Sequence, residues 1–152
     1  MIQRIQSVYL LFAACLCALT LCMPLAELIT PNTLYEFNTW GIYTIDNEST
    51  SVYSTFVLAI IQIIVAILSF GNIFLYKKRI RQMRICSFSI LLLVGYCIVF
   101  ALYIYQQKEA LNASVHYKFA TGIPLIGIIL EYLAVRGIGK DEALIRSLNR
   151  LR

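Results

Sequence analysis

The 152 residues predict an all-α membrane protein: an antiparallel up-down four-helix transmembrane bundle, with a short outer β-hairpin between helices 1 and 2 and a C-terminal amphipathic helix. Three observations carry that expectation. The chain is 60% hydrophobic and only 14% charged, with a mean hydropathy of +0.76, which is too apolar for a water-soluble domain of this size. Its apolar residues fall into four runs, each close to the roughly 20 residues that span a hydrocarbon core. Its cations gather at the ends of those runs on one side, as the positive-inside rule requires of cytoplasmic segments.

The first span is expected at residues 8–25, after a polar start that carries Arg4. One cation before an apolar core also fits a signal peptide, but the run is as long as a full span and Pro24-Leu25-Ala26 is a poor cleavage site. Residues 26–51 hold four acids (Glu27, Glu36, Asp46 and Glu48) and no Lys or Arg, which assigns them to the outer face. Within them, residues 34–45 are rich in aromatic and β-branched side chains and are followed by the turn-like Asp46-Asn47-Glu48-Ser49. They predict a hairpin lying on the outer helix ends, with Trp40 anchored at the interface.

The second span, residues 52–76, places Thr55, Ala59, Gln62, Ala66, Ser69 and Asn72 three and four apart, so that small and polar groups share one helix face. Helices in lipid associate through close approach and hydrogen bonds rather than through hiding apolar surface, so this face should turn inward. Gln62 and Asn72 are therefore candidate functional polar groups. The turn at residues 77–84 carries Lys77, Lys78, Arg79, Arg81 and Arg84 and no acid. It fixes the cytoplasmic side and is expected to touch lipid headgroups.

The third span is expected at residues 85–107 and the fourth at 115–135. In the fourth, Ala120, Pro124, Gly127, Glu131 and Ala134 repeat at spacings of four and three, aligning a groove of small residues around one carboxyl group. Glu131 is expected to pair with Arg136 or with a cation of the basic turn. The sharper reading makes it a proton- or cation-coupled carboxylate, as ionisable groups inside membranes often are. Gly137-Ile138-Gly139 should end the helix. Within the tail, residues 136–152, residues 140–152 should then form a short amphipathic helix, with Leu144 and Leu148 on one face and Arg146 and Arg150 among its cations, lying on the membrane surface or offered to a partner. Eleven cations then fall inside, leaving Lys108 and Lys118 outside, so both termini are expected in the cytoplasm.

Chemistry is sparse. The single histidine, His116, gives no multi-histidine metal site and no catalytic pair, and the five cysteines all sit in apolar runs rather than in a disulfide framework. No cofactor, metal site or nucleic-acid partner is expected, and the basic turn has a topological explanation.

Met1-Ile2-Gln3-Arg4-Ile5-Gln6-Ser7 at the start and residues 141–152 at the finish resemble a family of small four-span inner-membrane proteins of the Bacteroidota, a domain of unknown function. The resemblance implies a bacterial inner-membrane location and no particular activity. The expected role is a non-catalytic membrane protein, a scaffold or accessory subunit of an envelope complex. Its partners would be the lipid bilayer and a membrane protein or further copies of itself. The other reading is a small oligomeric transporter or channel that uses Glu131.

Overall fold

The structure, a computed structural model, describes residues 3–31, 33–45, 51–75 and 78–150; of residues 3, 4, 51, 52, 146 and 148–150 it describes the backbone alone. In chain order the elements are α1 (Gln3–Cys22), β1 (Ala26–Ile29), β2 (Leu34–Phe37), β3 (Gly41–Thr44), β4 (Ser51–Ser54), α2 (Phe56–Phe74), α3 (Arg79–Leu111), β5 (Ser114–Tyr117), a 3-10 turn (Phe119–Gly122) and α4 (Ile123–Arg150). All four helices are long and apolar enough to cross a membrane. α1 packs against α2 and α4, and α3 packs against the same two.

Pro24 explains where α1 stops, because its ring excludes the helical conformation from the residue before it. The chain then enters a sheet larger than the expected hairpin: five antiparallel strands in the order β4-β3-β2-β1-β5. The β2–β3 hairpin falls inside residues 34–45 as expected, while the turn expected at residues 46–49 lies outside the described residues. At Gly41 an added Cβ would come within 3.0 Å of the Tyr53 carbonyl oxygen, so the β3–β4 pairing needs a glycine there.

Strand alternation gives the sheet one buried face. Ala26, Leu28, Phe37 and Ile42 point into a core shared with Leu58, Tyr96, Phe100 and Ile123 of the helices. Phe37 meets Phe100 edge-on with ring centroids 5.4 Å apart. On the other face Glu27 and Glu36 stand directly opposite each other, a like-charge pair that would weaken the ladder. Lys118, just past β5, offsets it by contacting Glu27 at 2.8 Å and Glu36 at 3.0 Å. Its hydrogen bond to Glu27, with a second to Glu36, holds the ammonium above the ordinary lysine range.

Several expected boundaries are corrected. The second span does not begin at residue 52, because residues 51–54 are β4. Residues 115–117, expected as the start of the fourth span, belong to β5, whose Val115, His116 and Tyr117 extend the ladder at the free edge of β1. The basic turn is mostly helix: α3 starts at Arg79, since nothing from Arg79 to Arg84 breaks a helix and Arg is a good helix former. At 33 residues α3 runs about 50 Å, well beyond a hydrocarbon core of about 30 Å. Lys77 lies outside the described residues.

The tail is not a separate amphipathic helix. α4 continues without a break through Gly137 and Gly139 to Arg150. The glycines serve packing instead of termination: a Cβ on Gly137 would lie 3.1 Å from Gln6 Cγ and 3.3 Å from its Nε2, so α1 and α4 approach closely there. A Cβ on Gly139 would meet only Met83 Sδ at 3.7 Å, an ordinary contact.

Gly137→Leu should therefore force α1 away from α4 and destabilise the protein by about 1–3 kcal/mol. Gly139→Ala should be neutral or stabilise by up to about 1 kcal/mol through helix propensity. Thermal or denaturant unfolding of the two variants in detergent measures the contrast, and equal effects would refute the packing role of Gly137.

Candidate functional site

The outward faces of the helices are apolar, and the polar side chains within the spans are turned inward among small and apolar ones. On α2, Gln62, Ser69 and Asn72 are buried, whereas Ile60, Ile67, Phe70 and Phe74 are exposed, Phe74 by 68%. In water that arrangement would be perverse. In lipid it is the stable one, because a polar group has no partner except another protein group.

The buried polar groups meet at three levels. Nearest the sheet, Gln62 Nε2 donates to Thr20 Oγ1 and, at 3.4 Å, to the Cys17 carbonyl, tying α2 to α1. Thr20 Oγ1 itself donates to the Cys17 carbonyl at 2.7 Å. The last turn of α1 leaves carbonyls without intrahelical partners. Two of them are met from the β2–β3 turn, where Thr39 Oγ1 donates to the Thr20 carbonyl at 2.8 Å and Trp40 Nε1 to that of Leu21 at 2.9 Å. Trp40 thus ties the sheet to a helix end; its ring also packs edge-on against Phe56.

At the middle level Glu131 of α4 is fully buried. Ser69 of α2 and Ser89 of α3 both donate to its Oε1, Ser89 at 2.7 Å. Oε2 is buried with no hydrogen-bond partner among the described residues. The expected ion pair is absent: no described cation lies within ion-pairing distance of Glu131, and Arg136 is exposed. The reason is angular. Five residues along a helix advance 500°, so Arg136 projects about 140° from Glu131, on the side facing away from the seam.

The third level joins α2 to α3 across their short connection. Asn72 Nδ2 donates to the Gln82 carbonyl at 3.1 Å and to Cys86 Sγ at 2.8 Å, and Gln82 Nε2 donates back to the Asn72 carbonyl at 3.2 Å. Beyond it, Gln6 Nε2 of α1 donates to Asp141 Oδ2 of α4 at 2.7 Å.

All three polar candidates from the sequence, Glu131, Gln62 and Asn72, thus lie inside, on successive levels of one seam. The cationic candidates sit elsewhere. Lys78, Arg81 and Arg84 are exposed and Arg79 is half-buried, and together with Glu142 and Ile145 they line an open hollow of about 570 Å³ at the end of the helices away from the sheet. Leu144 is exposed, while the side chains of Arg146, Leu148 and Arg150 lie outside the described residues. Sequence reasoning missed the partners rather than the seam. Ser69 is legible as one of the polar groups on the inward face of the second span but not as a partner of Glu131, and Gln82 falls within the basic turn. Thr20 and Gln6, single polar residues in α1, gave no periodic signal.

The family described as "Domain of unknown function (DUF4293)" matches residues 2–151. No curated protein matches the chain.

If the seam holds Glu131 through the serines, Ser69→Ala and Ser89→Ala should each destabilise by about 1–3 kcal/mol, with a double variant that departs from their sum. Arg136→Gln should stay within about 0.5 kcal/mol of the parent, as exposed unpaired positions do. Unfolding of the detergent-solubilised protein tests both, and a large loss on replacing Arg136 would restore the ion pair in place of the serine contacts.

Proposed function

The chain belongs to the DUF4293 family, and from that premise we propose that it is a non-catalytic integral membrane protein, a scaffold or accessory subunit of an envelope complex. In this reading its four helices form an up-down bundle in a bacterial inner membrane. The acidic sheet faces out, and the basic helix ends and both tails face the cytoplasm. The distribution of cations supports that orientation, with eleven on the cytoplasmic side against two. The bacterial inner membrane comes from the family resemblance of the two end segments. Lys78, Arg79, Arg81 and Arg84 then stand at the inner headgroup layer, where anionic lipid attracts them.

One observation carries the role: the polar side chains of the helices are bonded to one another and to helix carbonyls, at levels that link α1–α2, α2–α3–α4, α2–α3 and α1–α4. Such cross-links stiffen a body whose ends remain free to present surfaces. The sheet ends in β4 on one side and β5 on the other, and Tyr53, Tyr117 and Phe119 are exposed on or beside these strands, Phe119 by 85%. A sheet rim with exposed aromatics suits contact with a partner or with the membrane interface. The alternative, an oligomeric transporter or channel using Glu131, needs a solute path between copies, since four packed helices fill their own centre.

Extraction at native expression in a mild detergent tests the scaffold reading. A membrane protein should co-purify in fixed ratio with the chain, and Tyr117→Asp together with Phe119→Asp should reduce its recovery at unchanged yield of the chain. Recovery of the chain alone contradicts the reading.

A further inference from the structure

The carboxyl group of Glu131 has an asymmetry that cohesion does not require. Both hydroxyl donors, from Ser69 and Ser89, converge on Oε1, while Oε2 is buried and bare. An ionised carboxylate spreads its charge over two equivalent oxygens and seeks donors at both. A carboxylic acid differs: its carbonyl oxygen accepts, while its hydroxyl oxygen carries a proton of its own. Two donors on one oxygen and none on the other is the second pattern.

The surroundings favour the same state. Glu131 lies eight residues into α4, about 12 Å from its start and within the segment able to cross a membrane. No described cation lies within ion-pairing distance. Among the described residues the titratable side chains nearest its charge are buried thiols, Cys17 from α1 and Cys86 from α3, and α2 presents the Ser69 hydroxyl and has no titratable residue. A bare negative charge would have no counter-charge in a medium that does not solvate it.

We propose that Glu131 is an exchangeable proton-binding site, carried as the carboxylic acid with its proton on Oε2 at neutral pH. Release breaks the Oε2–H bond, passes the proton to water and leaves a carboxylate that Ser69 and Ser89 hold as its only donors among the described residues. Two further buried acceptors without partners among the described residues, Gln62 Oε1 and Asn72 Oδ1, lie on the same face of α2, about 10 Å and 4.5 Å along it from Ser69 on opposite sides. Each is an open acceptor for an entering water. The site makes the helix packing responsive to protons whether or not the chain has a protein partner, so it stands apart from the scaffold reading.

Infrared spectroscopy of the full chain in liposomes tests the proposal. The carbonyl stretch of a protonated carboxylic acid should be present at neutral pH and lost in Glu131→Gln. It should shift within minutes in D2O and vanish as the pH is raised. Absence of the band at neutral pH overturns the proposal. So does a band that refuses to shift in D2O, which would mark a locked structural acid, or one abolished by sodium at constant pH, which would assign the site to a metal cation. Should Glu131→Gln fail to fold, labelling of the unaltered chain with dicyclohexylcarbodiimide and peptide mass mapping reads the same group. An adduct on Glu131 that falls at alkaline pH supports the proposal, and no adduct on Glu131 overturns it.

Discussion

Lipid offers a polar side chain no partner, and that constraint organises this protein. Gln62 finds Thr20, Glu131 finds Ser69 and Ser89, and Asn72 finds Gln82, while Ile60, Ile64, Ile67, Phe56, Phe70 and Phe74 of α2 turn outward. The inward face of each helix is chosen by where its few polar groups fall. Hydrophobic burial, which selects the inward face of a soluble helix, has little to select here because both sides of the helix are apolar.

The sheet obeys the opposite rule and is therefore an ordinary aqueous structure on a membrane one. Ala26, Leu28, Phe37 and Ile42 are buried beneath it and the charged Glu27–Lys118–Glu36 cluster lies on its far side. Every helix has an end joined to it: α1 runs into β1, β4 into α2, α3 into β5, and β5 through the 3-10 turn into α4. The Thr39 and Trp40 bonds to α1 carbonyls make the junction specific, since they satisfy backbone groups that a helix end would otherwise leave open. Position and rigidity at this end thus come from hydrogen bonds, and at the other end from the close passage of Gly137 over Gln6.

What could be read beforehand follows the same division. Apolar runs and their polar faces depend on local period alone, so the four helices and the inward placement of Gln62, Asn72 and Glu131 were legible. The bond from Trp40 to the Leu21 carbonyl was not, since it joins segments 19 residues apart. Features set by distant pairing were not legible: β5 is a strand because β1 presents a free edge, and its Val115-His116-Tyr117 reads equally well as the start of a helix. Gly137 and Gly139 looked like a helix end because glycine is costly inside helices, yet close contact with α1 outweighs that cost at Gly137. Glu131 was expected to seek Arg136 because the two are near in sequence; helical geometry turns them apart and the serines of two other helices take the place of the cation.

The account stands on the claim that the sheet and the basic helix ends lie on opposite sides of one bilayer, with the polar seam between them. The direct measurement is thiol accessibility in a chain whose five native cysteines are replaced by alanine. New single cysteines at Ser114, beside the exposed sheet edge, and at Arg81, in the exposed basic end, are treated with a membrane-impermeant maleimide. Ser114→Cys should react in intact cells and Arg81→Cys only after the membrane is opened. Reaction of both from the same side would contradict the threading and everything built on it.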